Sequence, residues 1–418
     1  MRVSSVKWMR DILPSEIHLW QFIESAARDI FEKYGYREIR TPILEETALF
    51  QKGIGEGTDI VNKEMYTFTD RGDRSLTMRP EGTAPIVRSY IENNLANEGF
   101  ANLYYIGPMF RSERPQKVRS RQFHQIGIEA IGSSSPYVDI SVIQMMTRLF
   151  RRLGLEEFKI RLCSLGCLKD KQKLAEKLRE YLAPERNRLC DDCKVRLKKN
   201  VLRTLDCKVE SCRALLRNSP KAKDLLCESC SVHYNTLKKI LNEIGIDFIE
   251  DPNMVRGLDY YTNTVFEVTH PGLGAQDAIA AGGRYDDLVR DFGGRETGAF
   301  GFAIGVERLL MAISHEGRLK VQEAKTDVYI ASTGDEMRLQ AFKTAGELVE
   351  RGISCEMDFE NRSLKSQMKQ ADRKKASLVV IFGEDELKKG EVVLRDMKTG
   401  SQRNVRLSEL TENIKMGM

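Results

Sequence analysis

The pattern of apolar and polar residues is clearest between residues 102 and 132, where two runs suited to β-strand, 103–106 and 122–131, flank a charged loop. In a strand, alternate side chains share a face. In the second run, one of the two sets of alternate side chains is mostly apolar and is predicted to pack on helices: His124, Ile126, Ile128 and Ala130. The other set is predicted to form a surface with an aromatic ring, an amide, a gap at the glycine and a carboxylate: Phe123, Gln125, Gly127 and Glu129.

The loop of this hairpin, 111–121, is almost wholly basic, with Glu113 as its one acid. Its basic residues are Arg111, Arg114, Lys117, Arg119 and Arg121. An aromatic ring beside guanidinium groups can stack a flat base and hold phosphates in bidentate fashion. The alternative is a solvated charged hairpin tip with one satisfied polar face, and the spacing alone leaves both interpretations open.

Further elements follow from the periodicity of apolar residues. Helices are predicted at 15–34, 84–91 and 141–154, strands at 158–163, 260–268 and 279–281, and a tight turn at 282–286. Residues 298–308 read as a glycine-laced strand that leads into a helix. From residue 324 onward, strand and helix patterns alternate, which predicts a small α/β domain with mixed strands.

Length and composition indicate an ordinary globular protein of two to four domains. The chain has 418 residues, of which 41% are hydrophobic and 30% charged, and its net charge is +5. No apolar run reaches the length of a membrane span, and the first residues lack the apolar core of a secretory signal. We therefore expect a cytoplasmic protein with no membrane contact.

The positive charge is concentrated in one segment. Residues 186–223 hold twelve Lys and Arg against four Asp and Glu, a surplus of eight, so the rest of the chain is slightly acidic. A local basic patch on a near-neutral protein indicates contact with a polyanion at one place. A solvated helical face is the alternative.

Six of the nine cysteines fall between residues 190 and 230. Two C-x2-C pairs in a reducing compartment are typical of tetrahedral zinc, and a small charged segment gains order from a metal. The sequence predicts one structural zinc ion on Cys190, Cys193, Cys227 and Cys230. Buried cysteines that act as small hydrophobes are the other interpretation.

Five motifs occur in order along the chain: PEGT at 80–83, FRSE at 110–113 with RQFHQIGIEA after it, RGLDYY at 256–261, AGGRYD at 281–286 and GFAIGVER at 301–308. Together they resemble the histidyl-tRNA synthetase family, of bacterial type, within the class II aminoacyl-tRNA synthetases. RGLDYY and AGGRYD are the most specific, since they are similar to the two histidine signatures of that family. The resemblance spans nearly the whole chain and is weakest in the cysteine-rich segment.

The resemblance implies an α+β fold with an antiparallel catalytic sheet flanked by helices. It further implies a catalytic domain in two parts, 1–164 and 251–322, which an inserted helical, basic and cysteine-rich domain at 165–250 interrupts. The C-terminal α/β domain at 325–418 is similar to an anticodon-binding domain. Pro42 resembles the motif 1 proline of a homodimer interface.

The function implied is ligation of histidine to tRNA(His), with ATP and Mg²⁺. Formation of a histidyl-adenylate releases diphosphate, and transfer of the histidyl group to the tRNA releases AMP. The catalytic residues implied are Arg256 and Arg111. Residues for histidine are Glu81, Thr83, Arg111, Gln125, Glu129, Arg256, Tyr260 and Tyr261, and residues for ATP are Arg111, Glu113, Arg119, Phe123 and Arg308. Which of the two tyrosines contacts the imidazole ring stays open at this point.

Two alternatives belong to other functional classes. A paralogue of this family without aminoacylation activity is the histidine-sensing regulatory subunit of ATP phosphoribosyltransferase, but it typically has degraded histidine signatures and lacks the extra C-terminal domain. A basic zinc module that binds nucleic acid without chemistry explains only the inserted segment.

Overall fold

The structure is a computed structural model that describes residues 3–98, 101–113, 120–274, 277–321, 325–360 and 362–417. The chain divides into two compact units, Met1–Val321 and Gln322–Met418, which we describe separately. Among the described residues, no helix combines the length and the apolar character that crossing a bilayer requires.

The first unit contains the following strands: β1 (Arg37–Glu38), β2 (Leu44–Glu46), β3 (Tyr66–Thr69), β4 (Ser75–Met78), β5 (Ala101–Phe110), β6 (Gln122–Ile131), β7 (Lys159–Ser164), β8 (Phe248–Glu250), β9 (Thr262–Thr269), β10 (Ala278–Arg284) and β11 (Ala299–Gly305). Its α-helices are α1 (Pro14–Lys33), α2 (Thr47–Ile54), α3 (Thr83–Glu92), α4 (Pro136–Arg152), α5 (Leu168–Leu182), α6 (Asp191–Lys199), α7 (Glu210–Leu216), α8 (Glu228–Glu243), α9 (Leu288–Asp291) and α10 (Val306–Glu316). Shorter helical turns occur at Ile60–Glu64, Leu95–Glu98, Arg186–Arg188, Val201–Asp206, Ala222–Asp224 and Pro271–Leu273.

An eight-stranded sheet organises this unit, in the order β1-β5-β6-β11-β10-β9-β7-β8. The inner strands pair antiparallel, and only the two edge strands, β1 and β8, pair parallel to their neighbours. A separate small sheet has the order β2-β4-β3. The predicted antiparallel sheet with flanking helices is confirmed.

The main core lies between one face of the sheet and helices α1, α4, α8 and α10. Helix α1 buries residues at helical spacing, Trp20, Ile23, Ala27 and Phe31, which is why the chain forms a helix there. Gly35 follows the helix with a φ of +81°, a conformation that glycine adopts without strain. The strand predicted at 103–106 is longer than expected, because β5 pairs with β6 along its whole length.

Residues of the predicted insertion, 165–250, pack in two different cores. A small core of its own runs from Leu174 to Ala222. In contrast, Tyr234, Leu237 and Leu241 of α8 pack in the main core, and β8 is an edge strand of the large sheet. The second half of that segment is therefore continuous with the eight-stranded sheet.

The second unit is an α/β fold with strands β12 (Val328–Ser332), β13 (Cys355–Met357), β14 (Leu378–Phe382), β15 (Glu391–Asp396) and β16 (Gln402–Arg406). Its helices are α11 (Asp335–Glu350), α12 (Leu364–Arg373), α13 (Glu384–Leu387) and α14 (Leu410–Gly417), with a short turn at Leu407–Glu409. The sheet order is β13-β12-β14-β15-β16, parallel as far as β14 and antiparallel beyond it. The sequence did not predict β16, because that strand is polar and buries only Val405.

Candidate active site

The alternation predicted along β6 is present. Ile126, Ile128 and Ala130 are fully buried in the main core beneath the sheet. Phe123 packs in a different apolar cluster on the opposite side. Gln125 and Glu129 therefore lie on the face that is turned away from the core helices, whereas His124 lies on the core side, where its ring contacts Trp20.

Glu129 is the most buried polar group on this face, with 1% of its surface exposed. Its Oε1 accepts a hydrogen bond from the Thr83 hydroxyl at 2.7 Å, and its Oε2 accepts a short one from the Tyr285 hydroxyl. Gly301 on the neighbouring strand leaves room for this carboxylate, because a Cβ there would collide with it. Burial raises the pKa of Glu129 to about 8, and the nearby Glu81 carboxylate adds to the effect while the two hydroxyls oppose it.

Glu81 lies beside Glu129 at the start of α3. Its two carboxylate oxygens accept the backbone N–H groups of Thr83 at 2.7 Å and Ala84 at 2.8 Å, so it caps the helix. The Tyr260 hydroxyl donates to the same carboxylate at 3.5 Å. Burial raises the pKa of Glu81. Because each carboxylate oxygen has two lone pairs, this capping leaves capacity to receive an ammonium group.

The gap predicted at Gly127 is filled by a residue that sequence reasoning missed, Tyr105. A Cβ on either Gly127 or Gly82 would collide with the Tyr105 ring. Tyr105 lies on β5, directly opposite Gly127. The two glycines were the available signal, since each indicates a close approach by a neighbouring group.

Arg111 and Phe123 are brought together at the open end of the hairpin. The Arg111 guanidinium lies 5.2 Å from the Phe123 ring centroid, and its Nε donates to the Pro80 carbonyl oxygen at 2.8 Å. Its Nη1 is 3.9 Å from the Glu113 carboxylate. Arg119, predicted to hold ATP, lies outside the described residues.

Arg256 forms an ion pair with Glu267, with 2.6 Å between Nη1 and Oε2. The other carboxylate oxygen is 3.8 Å from Arg161. The Nε of Arg256 is buried and has no hydrogen-bond partner among the described residues. The guanidinium is thus held in place from one side while one N–H stays available to a ligand.

Arg308 lies in the first turn of α10, as predicted, and its Nη1 donates to the Ala278 carbonyl oxygen at 2.8 Å. The preceding residue, Glu307, fixes this turn to β6, because its carboxylate accepts the His124 backbone N–H at 3.0 Å. The first turn of a helix favours anions through its free N–H groups. Arg308 adds a positive charge at that place.

The AGGRYD segment differs from the predicted tight turn. Gly282 and Gly283 lie inside β10, and the strand continues to Arg284. A Cβ on Gly283 would be 2.6 Å from the Thr264 carbonyl oxygen and 3.0 Å from the Tyr261 ring. The glycines are therefore needed for close packing against β9 and Tyr261, which composition alone could not distinguish from a turn.

Arg284 and Tyr285 of AGGRYD have separate roles. Arg284 has no exposed surface, and it pairs with Asp139 at 2.7 Å and Asp286 at 2.9 Å. His233 Nε2 is 2.9 Å from the same Asp139 carboxylate. Arg284 therefore holds elements together beneath the site. Tyr285 reaches the site itself through Glu129 and was not predicted as a site residue, although it lies within the signature.

Tyr260 and Tyr261 lie against each other, with 4.8 Å between ring centroids, and Tyr260 also contacts the Tyr285 ring at 5.8 Å. Their backbone is held by Lys171 of α5, whose ammonium donates to the carbonyl oxygens of Tyr261 at 2.7 Å and Asp259 at 3.1 Å. Burial lowers the pKa of Lys171. Lys171 is a second missed residue, which nothing in the sequence around it indicated.

Two more buried polar atoms of this region lack a hydrogen-bond partner among the described residues, namely Gln125 Oε1 and the Tyr105 hydroxyl. Such atoms cost free energy unless a ligand or water satisfies them. These residues can therefore bind a compact ligand rich in donors and acceptors. Three guanidiniums, from Arg111, Arg256 and Arg308, come from separate segments and suit an anion.

The four predicted zinc ligands do not form one set, so the prediction of a single site is wrong. Cys190 and Cys193 group with Cys207 and Cys212, whereas Cys227 and Cys230 group with Cys167 and Asp170. All nine cysteines are in the described part of the chain, and each is free. The spacing of two C-x2-C pairs could not reveal this, because each pair finds its partners elsewhere in the chain.

The basic segment presents most of its charge to solvent. Eight of its twelve Lys and Arg residues are exposed: Arg186, Arg188, Lys198, Lys199, Lys208, Arg213, Arg217 and Lys223. Arg196 and Arg203 instead point to Asp59, at 4.0 and 3.7 Å. Arg188, Arg213 and Arg217 of the exposed set pair with the acidic side chains of Glu185 or Glu210. The exposed set as a whole still carries a positive surplus that can attract a polyanion.

Comparison with known proteins gives consistent matches along the chain. Residues 8–309 match the histidyl-tRNA synthetase family model, and residues 327–416 match that of the anticodon-binding domain. The histidine–tRNA ligase of Halothermothrix orenii is 47% identical, with 99% of each chain covered. The histidine–tRNA ligase of Thermotoga sp. (strain RQ2) is 49% identical, with 96% of each covered. The apo structure of S. aureus histidyl-tRNA synthetase is 36% identical, with a TM-score of 0.84, and the match covers 99% of this chain and 100% of that one.

Proposed function

The chain belongs to the histidyl-tRNA synthetase family and is a histidine–tRNA ligase, and we propose that the pocket around Glu129 binds the imidazole ring of its amino acid. The observation that supports this most is the buried Glu129 carboxyl group, held by Thr83 and Tyr285. A neutral imidazole has one donor and one acceptor. Glu129 accepts from the ring, and Tyr260 or Tyr261 donates to it.

The amino end of histidine binds at the start of α3. Glu81 and Thr83 lie next to Glu129, so one amino acid can reach both the ring site and the ammonium site. Gln125 lies near the polar end of the ligand, and its unpartnered Oε1 accepts a hydrogen bond from it. A ligand that lacks these groups leaves buried polar atoms unpaired, which is a strong basis for rejection.

In the first step, a carboxylate oxygen of histidine attacks the α-phosphorus of ATP, and the bond to the diphosphate oxygen breaks. Negative charge increases on the α-phosphate oxygens during this step. Arg111 and Arg256 stabilise that charge, because fixed guanidiniums need no reorganisation as the charge develops. The Glu267 carboxylate positions Arg256 for this role.

ATP is held by residues at the open end of the hairpin and at α10. Phe123 stacks the adenine ring, Glu113 accepts from its amino group, and Arg308 binds the triphosphate together with Arg119. Mg²⁺ enters with ATP, since this ion retains waters and binds mainly through substrate phosphates. The position of Arg308 at a helix N-terminus supports its assignment.

In the second step, a ribose hydroxyl of the terminal adenosine of tRNA(His) attacks the histidyl carbonyl carbon, and AMP leaves. The exposed basic residues between 186 and 223 and the C-terminal unit contact the tRNA. The proposed domains are 1–164, an inserted domain at 165–250, 251–322 and 325–418, and α8 of the inserted domain packs in the main core. We further assign a homodimer with Pro42 at its interface, which works in the cytoplasm where tRNA is charged.

Histidine-dependent exchange of diphosphate into ATP by the purified protein tests these assignments. We expect exchange with L-histidine and none above background with the other standard amino acids. Glu129→Ala should raise the KM for histidine much more than the KM for ATP, and Glu180→Ala, on an exposed face of α5, is the matched control. Equal effects of Glu129→Ala on both KM values would contradict the placement of the imidazole ring.

The regulatory paralogue without aminoacylation is less well supported. The relatives that match nearly the full length at 47–49% identity are named histidine–tRNA ligases, and the anticodon-binding domain is present. A protein that binds histidine without any exchange activity would favour that alternative.

A further inference from the structure

The first cysteine cluster has the dimensions of a tetrahedral zinc site. The Sγ atoms of Cys190, Cys193, Cys207 and Cys212 all lie within 4.8 Å of one another, and those of Cys190 and Cys207 are 3.8 Å apart. Four thiolates at about 2.3 Å from a zinc ion stand about 3.8 Å from each other. Because none of these sulfurs forms a disulfide, all four are available as ligands.

The second cluster has three sulfurs and one carboxylate, from Cys167, Asp170, Cys227 and Cys230, again within 4.8 Å of one another. Asp170 is 1% exposed, and its Oδ2 accepts the Cys227 backbone N–H at 3.1 Å. Its Oδ1 is buried and has no hydrogen-bond partner among the described residues. A buried carboxylate oxygen without a partner, beside three thiols, is the arrangement that a cation would satisfy.

The local backbone is alike in three ligand pairs. In each pair the first residue precedes a helix and the second lies in its first turn, as in Cys167 and Asp170 of α5, Cys190 and Cys193 of α6, and Cys227 and Cys230 of α8. N–H groups at a helix start favour thiolates. Gly166 keeps the second cluster compact, because a Cβ there would be 2.5 Å from the Asp170 Cβ.

We propose that this region carries two separate structural zinc sites, one with four cysteine ligands and one with three cysteines and Asp170. The first ion ties α6 to α7 within the small core of the insertion, and the second ties the start of α5 to the start of α8. The segment is short of apolar residues and rich in charge. Metal ligation therefore supplies order that its core cannot. This inference does not depend on the assignments around Glu129.

Elemental analysis tests the proposal on the full chain, expressed with zinc and purified without chelators. We expect two zinc ions per chain in the wild type and one in each of Cys212→Ser and Cys167→Ser. Cys355→Ser, in β13 and outside both clusters, is the matched control and should retain two. If a variant fails to fold, cobalt(II) absorption of the metal-exchanged wild type gives a second measurement, with thiolate charge-transfer bands expected at two equivalents.

Four results would overturn all or part of the proposal. If the wild-type protein holds no zinc after refolding in the presence of zinc, both sites are rejected. If the wild type holds one zinc ion per chain and only Cys212→Ser abolishes its binding, the second site is rejected. If the wild type holds one zinc ion and only Cys167→Ser abolishes its binding, the first site is rejected. Two zinc ions that survive both substitutions would show that these sulfurs are not the ligands.

Discussion

The buried Glu129 carboxyl should make the stability of the first unit depend on pH in a way that Glu129→Gln removes. The raised pKa of about 8 in the folded protein compares with an ordinary value of 4.5. Between these two pH values, the folded state retains a proton that the unfolded state has lost. The free energy of unfolding therefore falls as the pH rises through this window, and the fall ends once Glu129 ionises in the folded state as well.

The magnitude follows from the size of the pKa shift. Each pH unit inside the window costs about 1.4 kcal/mol of wild-type stability. Glutamine cannot ionise, so Glu129→Gln lacks this loss. The stability of the variant relative to the wild type should therefore rise by roughly 3 kcal/mol between pH 5.5 and 7.5. A constant offset from the altered bonds to Thr83 and Tyr285 does not affect this slope.

Urea unfolding at several pH values, followed by tryptophan fluorescence, measures this difference. Both tryptophans, Trp8 and Trp20, are in the first unit, so the signal reports that unit. Glu180→Gln, an exposed carboxylate on α5, is the control and should track the wild type at every pH. A stability difference between Glu129→Gln and the wild type that stays flat from pH 5.5 to 7.5 would refute the reasoning, since it would mean that burial does not hold the proton on Glu129.

Three further predictions concern catalysis and binding. Arg256→His should lower the rate of diphosphate exchange on the order of a hundredfold or more. The affinity for histidine should stay within a few-fold of the wild type, and the melting temperature should be unchanged. A large loss of stability would instead favour a structural ion pair. Gly127→Ala should displace the Tyr105 ring and raise the KM for histidine in the same assay, and an unchanged KM would show that Tyr105 does not shape the pocket. Charge reversal at Lys198 and Lys199 should weaken tRNA charging at moderate salt and leave exchange intact. Unaltered charging under that condition would make the patch a solvated face.

The sequence determined the parts of the fold that depend on local periodicity. The alternation along β6 predicted which side chains enter the core, because a strand has only two faces. The helical spacing of Trp20, Ile23 and Phe31 likewise predicted α1. Composition predicted less well where one residue type serves two purposes: Gly282 and Gly283 suited a turn, but they lie in β10, where close packing with the neighbouring strand needs them.

Only the tertiary structure decided which distant residues meet. Tyr285 and Thr83 both bond Glu129, across 156 and 46 positions of the chain. Lys171 holds the backbone at Tyr261 from 90 positions away. The two cysteine clusters were beyond sequence reasoning for the same reason. Spacing along the chain specifies a C-x2-C pair, since both residues lie in one turn of backbone, but the partner of each pair depends on how the helices pack, and that packing is set by the whole core.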